Sequence, residues 1–366
     1  MALNFSAGPS RVPREVLYRA AAEITDYMGH EASFMELSHR DPGGPVQNLL
    51  VETQSRIRRL LSVPPDYHIL FVQGGAHAQF SAVPINLLGQ GGVAGFVDTG
   101  QWSVKSMNEA ERTHATKTVA FSRRRFPPVE EWKIDDDVDY VHVCANETMT
   151  GIEMLSDPVA PKTADGRQVV LVGDFTSTLM SRPIDVTRYG AIYASSGKNL
   201  GPPGYAVVIV RDDLLDRAPA NSPGCLLWRE QARSTPIQNI YNTPPTYTVY
   251  LSSLVLEKLE RDGGVEQAEK RAIERARVIY DAIDGSNGFY ETDVEKQNRS
   301  RMNVPFRIKN RSLESEFLAA ATEAGMTQLA GHPATGGLRA TIYNSIPLAW
   351  AEKLAAFMSE FRGRAA

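Results

Sequence analysis

The chain has 366 residues, 42% hydrophobic and 22% charged, an ordinary globular composition long enough for one large domain and a smaller one. Its net charge of −4 excludes a global basic field for nucleic acid, and the densest basic run, SRRRF at 122–126, reads as a solvated loop. Cys144 and Cys225 stand far apart in no metal-ligand or disulfide spacing, no apolar run reaches the roughly 18 residues of a membrane helix, and the N-terminus lacks a basic-then-apolar secretory signal, so a cytoplasmic protein is expected.

Gly8, Pro9 and Pro13 mark an irregular start. Residues 14–28 and 47–63 carry apolar side chains at helical spacing, the second stretch stopping at Pro64-Pro65. HILFVQGG (68–75) is a short apolar run halted by two glycines, a buried strand feeding a turn. A helix is predicted over 78–88, with Pro84 near its end or kinking it. The rhythm repeats with a strand at 93–100, a helix at 103–113, and strands at 138–146, 168–177, 190–197 and 205–215. Runs this apolar are buried on both faces, which implies a mostly parallel sheet between helical layers, an α/β fold.

After Pro244-Pro245 the texture changes. Helices are predicted over 246–264 and 265–284, then a strand at 301–308, a helix at 313–326, a strand at 338–343 and a final amphipathic helix at 348–361. The expected division is an N-terminal segment 1–13, a large domain 14–255 and a small α+β domain 256–366.

Open α/β sheets place their sites at the carboxyl ends of strands. There the sequence sets GGAHAQ (74–79) at a helix start, where free N–H groups and the helix dipole suit a phosphate. It sets Trp102 where an indole could stack on a flat ring, and Thr148 beside Asn146 and Glu147. It sets Asp174 directly after an apolar strand, and Lys198, in YASSGKNLGPPG, after the next one. Each has a plainer use as a turn, a cap, a core ring or a solvated lysine. Together they are the parts of a pyridoxal phosphate site: a lysine to form a Schiff base with the aldehyde, and a carboxylate to keep the pyridine nitrogen protonated.

With these residues in view, the chain resembles the phosphoserine aminotransferases, a family within the class V aminotransferases. The stretches that carry the resemblance are NFSAGPSRVPREVL, ELSHR, VQGGAHAQFSAVPINLL, DTGQWS, NETMTGIE, YASSGKNLGPPG, YNTPPTYTVY, RSRMNVPFRI and GHPATGGLRATIYNSIPL, spread over nearly the whole chain. The resemblance implies a fold type I architecture with a seven-stranded sheet. It also implies ping-pong transfer of an amino group between glutamate and 3-phosphohydroxypyruvate on pyridoxal 5'-phosphate, in serine biosynthesis. It makes Lys198 the Schiff-base lysine, Asp174 the partner of the ring nitrogen, Trp102 the stacking ring and Thr148 the contact of the phenolic oxygen. Ala76 and His77 would offer backbone groups to the cofactor phosphate, and Asn242 and Thr243 would reach it from a neighbouring subunit, giving a homodimer. His39, Arg40, His332 and Arg339 match the ligands of the substrate anion.

The chain departs from the family pattern at three places. Gly197 stands where a glutamine is usual, which removes an amide and leaves room. Pro333 follows His332 where an arginine is usual, so one cationic ligand is missing; His77 is the candidate replacement donor. DPGGP after Arg40 replaces a charged helix start, which would reshape that loop. These departures keep two further readings open: an aminotransferase for another acidic 2-oxo acid, bearing a phosphonate, sulfonate or carboxylate, and a cofactor-binding protein that does not transaminate.

Overall fold

Val207, Val208, Ile209 and Val210 follow one another without a polar break, and none is more than 1% exposed. A strand apolar on both faces needs cover on both sides. The computed structural model describes residues 2–89 and 91–365. The chain begins with a two-residue strand, β1 (Leu3–Asn4), and two helices, α1 (Arg14–Ala22) and α2 (Pro45–Leu61). The main sheet then takes β2 (Tyr67–Gln73), β3 (Val93–Asp98), β4 (Ala115–Phe121), β5 (Val138–Cys144), β6 (Val170–Asp174), β7 (Ala191–Ser195) and β8 (Tyr205–Arg211). Helices α3 (Gly75–Leu87) and α4 (Gln101–Ala110) follow β2 and β3.

The seven strands lie in the order β2-β8-β7-β6-β5-β3-β4. β8 is antiparallel to both its neighbours, and the other pairs are parallel. β2, β3, β5, β6 and β7 therefore all deliver their carboxyl ends to one edge of the sheet. Strand parity divides the core: Ile69, Phe71, Val207 and Ile209 pack on one face with Leu50 of α2, while Leu70, Val72, Val208 and Val210 pack on the other with Phe80 and Val83 of α3.

The remainder adds α5 (Trp228–Ala232), α6 (Thr246–Arg261), α7 (Gly264–Asp284), β9 (Tyr290–Glu291), β10 (Asn303–Ile308), α8 (Glu314–Glu323), β11 (Met326–Thr327), β12 (Leu338–Thr341) and α9 (Leu348–Ala365). β10 pairs antiparallel with β9 and β12, and a separate apolar core of Phe306, Phe317, Phe357 and Phe361 joins this small sheet to its helices. Phe5 belongs to that second core and β1 pairs with β11, so the N-terminal segment is tied to the C-terminal part of the chain.

Three elements differ from the sequence expectation. α1 stops at Ala22, because Tyr27 turns inward onto Phe34 and Tyr250 instead of continuing the helical stripe. β4 lies at the sheet edge, where its exposed and half-buried Thr116, Lys117 and Thr118 give no buried-strand signal. α6 runs unbroken past position 255, so the expected domain boundary falls within one helix.

The site loop after β5 is locked to the small sheet. Glu153 is fully buried and accepts from Arg301 Nε at 3.0 Å and Nη2 at 2.6 Å, while Arg301 Nη1 donates to Glu269. Gly151, at φ +78°, approaches so closely that a Cβ there would stand 2.5 Å from Pro305. Arg301→Met leaves the Glu153 charge buried without its main partner, and we expect a loss of about 3–5 kcal/mol in urea unfolding. A loss below about 1 kcal/mol, the worth of an exposed pair, would show that this contact does not hold the loop.

Candidate active site

Gly74 and Gly75, at φ +88° and +62°, turn the chain from β2 into α3. A Cβ on Gly74 would collide with that of Ala78, and one on Gly75 would press on Ser195 Oγ at 3.3 Å. No side chain caps α3, so the N–H groups of its first turn stand free at the positive end of the helix dipole. Ala76 and His77 lie in that turn. With Trp102, Thr148, Asp174 and Lys198 they line one cavity of about 270 Å³ at the carboxyl edge of the sheet.

Trp102 is held from two directions. The fully buried Glu147 carboxylate accepts the backbone N–H of Trp102 at 3.0 Å and of Ser103 at 2.8 Å, capping α4. Burial pushes the Glu147 carboxyl upward, and those hydrogen bonds oppose the shift. The indole Nε1–H donates to Thr148 Oγ1 at 2.8 Å, which leaves the threonine O–H available as a donor. Gly100 is required here, since a Cβ would meet Glu147 at 2.7 Å.

Asp174 is 5% exposed at the end of β6, in register with Cys144 and Tyr193. Burial pushes its carboxyl up; Thr176, whose N–H donates at 2.8 Å, then Tyr193 and the charge of Lys198 pull it down. His142 Nε2 lies 2.8 Å from the Tyr193 hydroxyl, and its Nδ1 is buried without a partner. Burial pulls the His142 pKa to about 3, so the ring is neutral. The imidazole and the phenol are thus in hydrogen-bond contact, and the phenol acts on Asp174 in turn, three groups gathered behind the cavity.

Lys198 Nζ donates to the Ala7 carbonyl oxygen and lies 5.7 Å from the centroid of the Tyr343 ring. A Cβ on Gly8 would come within 2.5 Å of that amine, so the N-terminal segment roofs the lysine. Gly197 is outside the cavity lining, and a Cβ there would point at Pro203, 3.2 Å away. The space expected from its missing amide is therefore not part of this chain's cavity.

Arg339 donates from Nη1 to the carbonyl of the cavity-lining Thr148 at 3.2 Å. His332 Nδ1 accepts the Ala334 N–H, and burial, then the charges of Arg339 and Lys105, lower its pKa. Lys105 Nζ sits 4.8 Å from the Trp102 ring centroid. His39, Arg40, Asn242, Thr243, His332, Arg339 and Lys105 do not line the cavity; Arg339 and Lys105 touch it only through Thr148 and Trp102. His39 Nε2 is buried without a partner, Arg40 is exposed, and Asn242 accepts from Gln231. Sequence reasoning missed Tyr193, His142 and Lys105. Lys105 had a signal, since it follows Trp102 by one helical turn; the other two sit among apolar neighbours and read as core.

The residues present fit pyridoxal phosphate. An uncapped helix start faces the cavity, a buried carboxylate lacks a neutralising ion pair among the described residues, and an indole and a lysine share the same walls. A family model for aminotransferase class V matches residues 2–347. Phosphoserine aminotransferase from Nitrosomonas europaea is 44% identical over 98% of this chain and 97% of its own length, and that from Geobacillus kaustophilus is 44% identical over 99% of each. The solved phosphoserine aminotransferase from Bacillus circulans subsp. alkalophilus superposes with a TM-score of 0.94 at 39% identity, covering 100% of this chain and 99% of that one. A pyridoxal phosphate-bound phosphoserine aminotransferase from Trichomonas vaginalis gives 0.90 at 34% identity, covering 98% of this chain and 100% of that one.

His142 makes a prediction about pH. Its folded pKa of about 3 lies below the ordinary 6.5, so the unfolded chain takes a proton that the folded chain refuses. Stability therefore falls as pH drops from 6.5 towards 3. His142→Asn makes that decline shallower by about 1.4 kcal/mol per pH unit in urea unfolding. An identical slope in both proteins would mean that His142 is not held neutral.

Proposed function

The chain belongs to the class V aminotransferases, and we propose that it moves the amino group of glutamate onto 3-phosphohydroxypyruvate, giving phosphoserine and 2-oxoglutarate, with pyridoxal phosphate as cofactor. The observation that carries this reading is the single cavity that gathers Lys198, Asp174, Trp102, Thr148 and the uncapped start of α3. Full-length similarity to phosphoserine aminotransferases supports the choice of substrates.

When bound, pyridoxal phosphate supplies an aldehyde for imine formation and a ring that withdraws electrons from the substrate's α-carbon. Lys198 Nζ is the attachment point and, once displaced by substrate, the base that takes the α-proton and returns it. Asp174 would hold the proton on the ring nitrogen, with Tyr193 and His142 behind it. Trp102 would stack on the bound ring, and the free Thr148 O–H would be available to its phenolic oxygen. The N–H groups of Ala76 and His77 would hold the cofactor phosphate.

Arg339 and Lys105 are the cations nearest the cavity walls, each touching a lining residue, with His332 held neutral between their charges; none of the three is in an ion pair among the described residues. The guanidinium fork suits a carboxylate. Lys105 adds a cation to a rim that Pro333 leaves without an arginine. Arg40 and Thr243 are exposed and lie outside their own chain's cavity, as do His39 and Asn242, which supports a homodimer whose chains complete each other's sites. Two free cysteines, Cys144 buried and Cys225 exposed, support a cytoplasmic setting.

Lys198→Ala abolishes turnover, and Asp174→Ala lowers kcat by about 10²–10³-fold, the scale of one lost preorganised electrostatic group, in steady-state assays. Near-normal rates in either variant contradict the assignment. Replacing 3-phosphohydroxypyruvate by its unphosphorylated analogue should cost roughly tenfold to a hundredfold in kcat/KM for each charge-assisted bond lost. Equal or higher kcat/KM with a sulfonated or unphosphorylated acid would assign the enzyme to that acid instead, the reading that Pro333 favours.

A further inference from the structure

Arg275, on α7, is 3% exposed, yet it makes no ion pair among the described residues, the adjacent Glu274 acting on it only at a distance. Its Nε donates to the Ile342 carbonyl at 3.3 Å, and its Nη2 is buried with no partner. Burial, with Arg271 nearby, lowers its pKa to about 10. A buried guanidinium without a counter-charge carries a desolvation cost that a bound anion would relieve.

Arg275 lines a cleft of about 520 Å³ between the N-terminal segment, the end of α6, α7 and residues 344–348. Arg11 shares the wall: its guanidinium donates to the Ser345 carbonyl and lies 5.1 Å from the Trp350 ring centroid. Arg14 lies there too. Of the acids on the wall, Glu15 and Asp262 are engaged by Lys258, Arg261 and Arg271. Among the described residues, three arginines without ion pairs thus face one unengaged acid, Glu274. Asn344, whose Oδ1 is also buried without a partner, lies on the same wall. An inner lobe of about 60 Å³, sharing Arg11, Arg275 and Asn344, reaches Lys198 and Asn199 from outside the catalytic cavity.

We propose that this cleft is a second anion site, in which Arg11, Arg14 and Arg275 hold a small dianion, a phosphomonoester or a dicarboxylate. Planar guanidinium forks match both groups. The bound anion ties the N-terminal segment, which roofs Lys198, to α7. It therefore raises the melting temperature as well as occupying the cleft.

The test is calorimetric titration of the holoenzyme with inorganic phosphate and, separately, with succinate. The wild type should bind two equivalents of at least one probe per chain, one at the catalytic rim and one in the cleft. Arg11→Ala/Arg14→Ala should weaken the second equivalent about tenfold or more and leave turnover at low anion concentration unchanged. Arg339→Ala should weaken only the other. Arg275→Lys, which keeps the charge and loses the fork, separates recognition from folding and should also weaken the cleft equivalent about tenfold. Phosphate filling the cleft assigns a phosphomonoester, and succinate filling it assigns a dicarboxylate. A single equivalent per chain with both probes, or an Arg11→Ala/Arg14→Ala protein that binds like the wild type, overturns the proposal.

Discussion

A carboxylate kept charged at the buried end of a central strand is the constraint around which this site is arranged. Burial alone drives Asp174 towards its neutral form. Thr176, through its hydroxyl and its N–H, then the Tyr193 phenol and the charge of Lys198 oppose that drift. A protonated pyridine nitrogen is the counter-charge this environment lacks, and the carboxylate in turn keeps that nitrogen protonated. The neutral His142 behind Tyr193 contributes orientation without a competing charge.

The sheet makes this placement possible. Parallel strands put their carboxyl ends on one edge, so short loops bring β2, β3, β5, β6 and β7 to the same cavity. Charge is then graded across it. Carboxylates sit in the floor, where Glu147 serves as a helix cap and Asp174 faces the cavity. Cations stand beside its walls, where Arg339 and Lys105, with the neutral His332, are left without acidic partners among the described residues. The N-terminal segment closes over Lys198 while pairing with the C-terminal part, so the roof of the site and the seat of the small sheet belong to one continuous stretch.

Much of this was legible in the amino-acid order. Apolar runs ending in glycine, asparagine or aspartate marked the strand ends, and that rule alone placed Asp174 and Lys198 on one edge. The rest was hidden for physical reasons. Tyr193 and His142 alternate with apolar residues and are themselves buried, so a period of two cannot separate them from core. β4 is polar because it is an edge strand, and α1 ends early because Tyr27 finds aromatic partners far along the chain. Gly197 read as space in the cavity, whereas only backbone geometry reveals that its missing side chain would face Pro203. Arg275 lies in a charged helical stretch, and its burial against Ile342 is a tertiary fact.

The most direct measurement is borohydride reduction of the pyridoxal phosphate-loaded protein, followed by peptide mapping. The account predicts a visible absorption band lost on reduction and a single pyridoxyl group on Lys198. A colourless loaded protein, or a label on any other lysine with Lys198 unmodified, would contradict it.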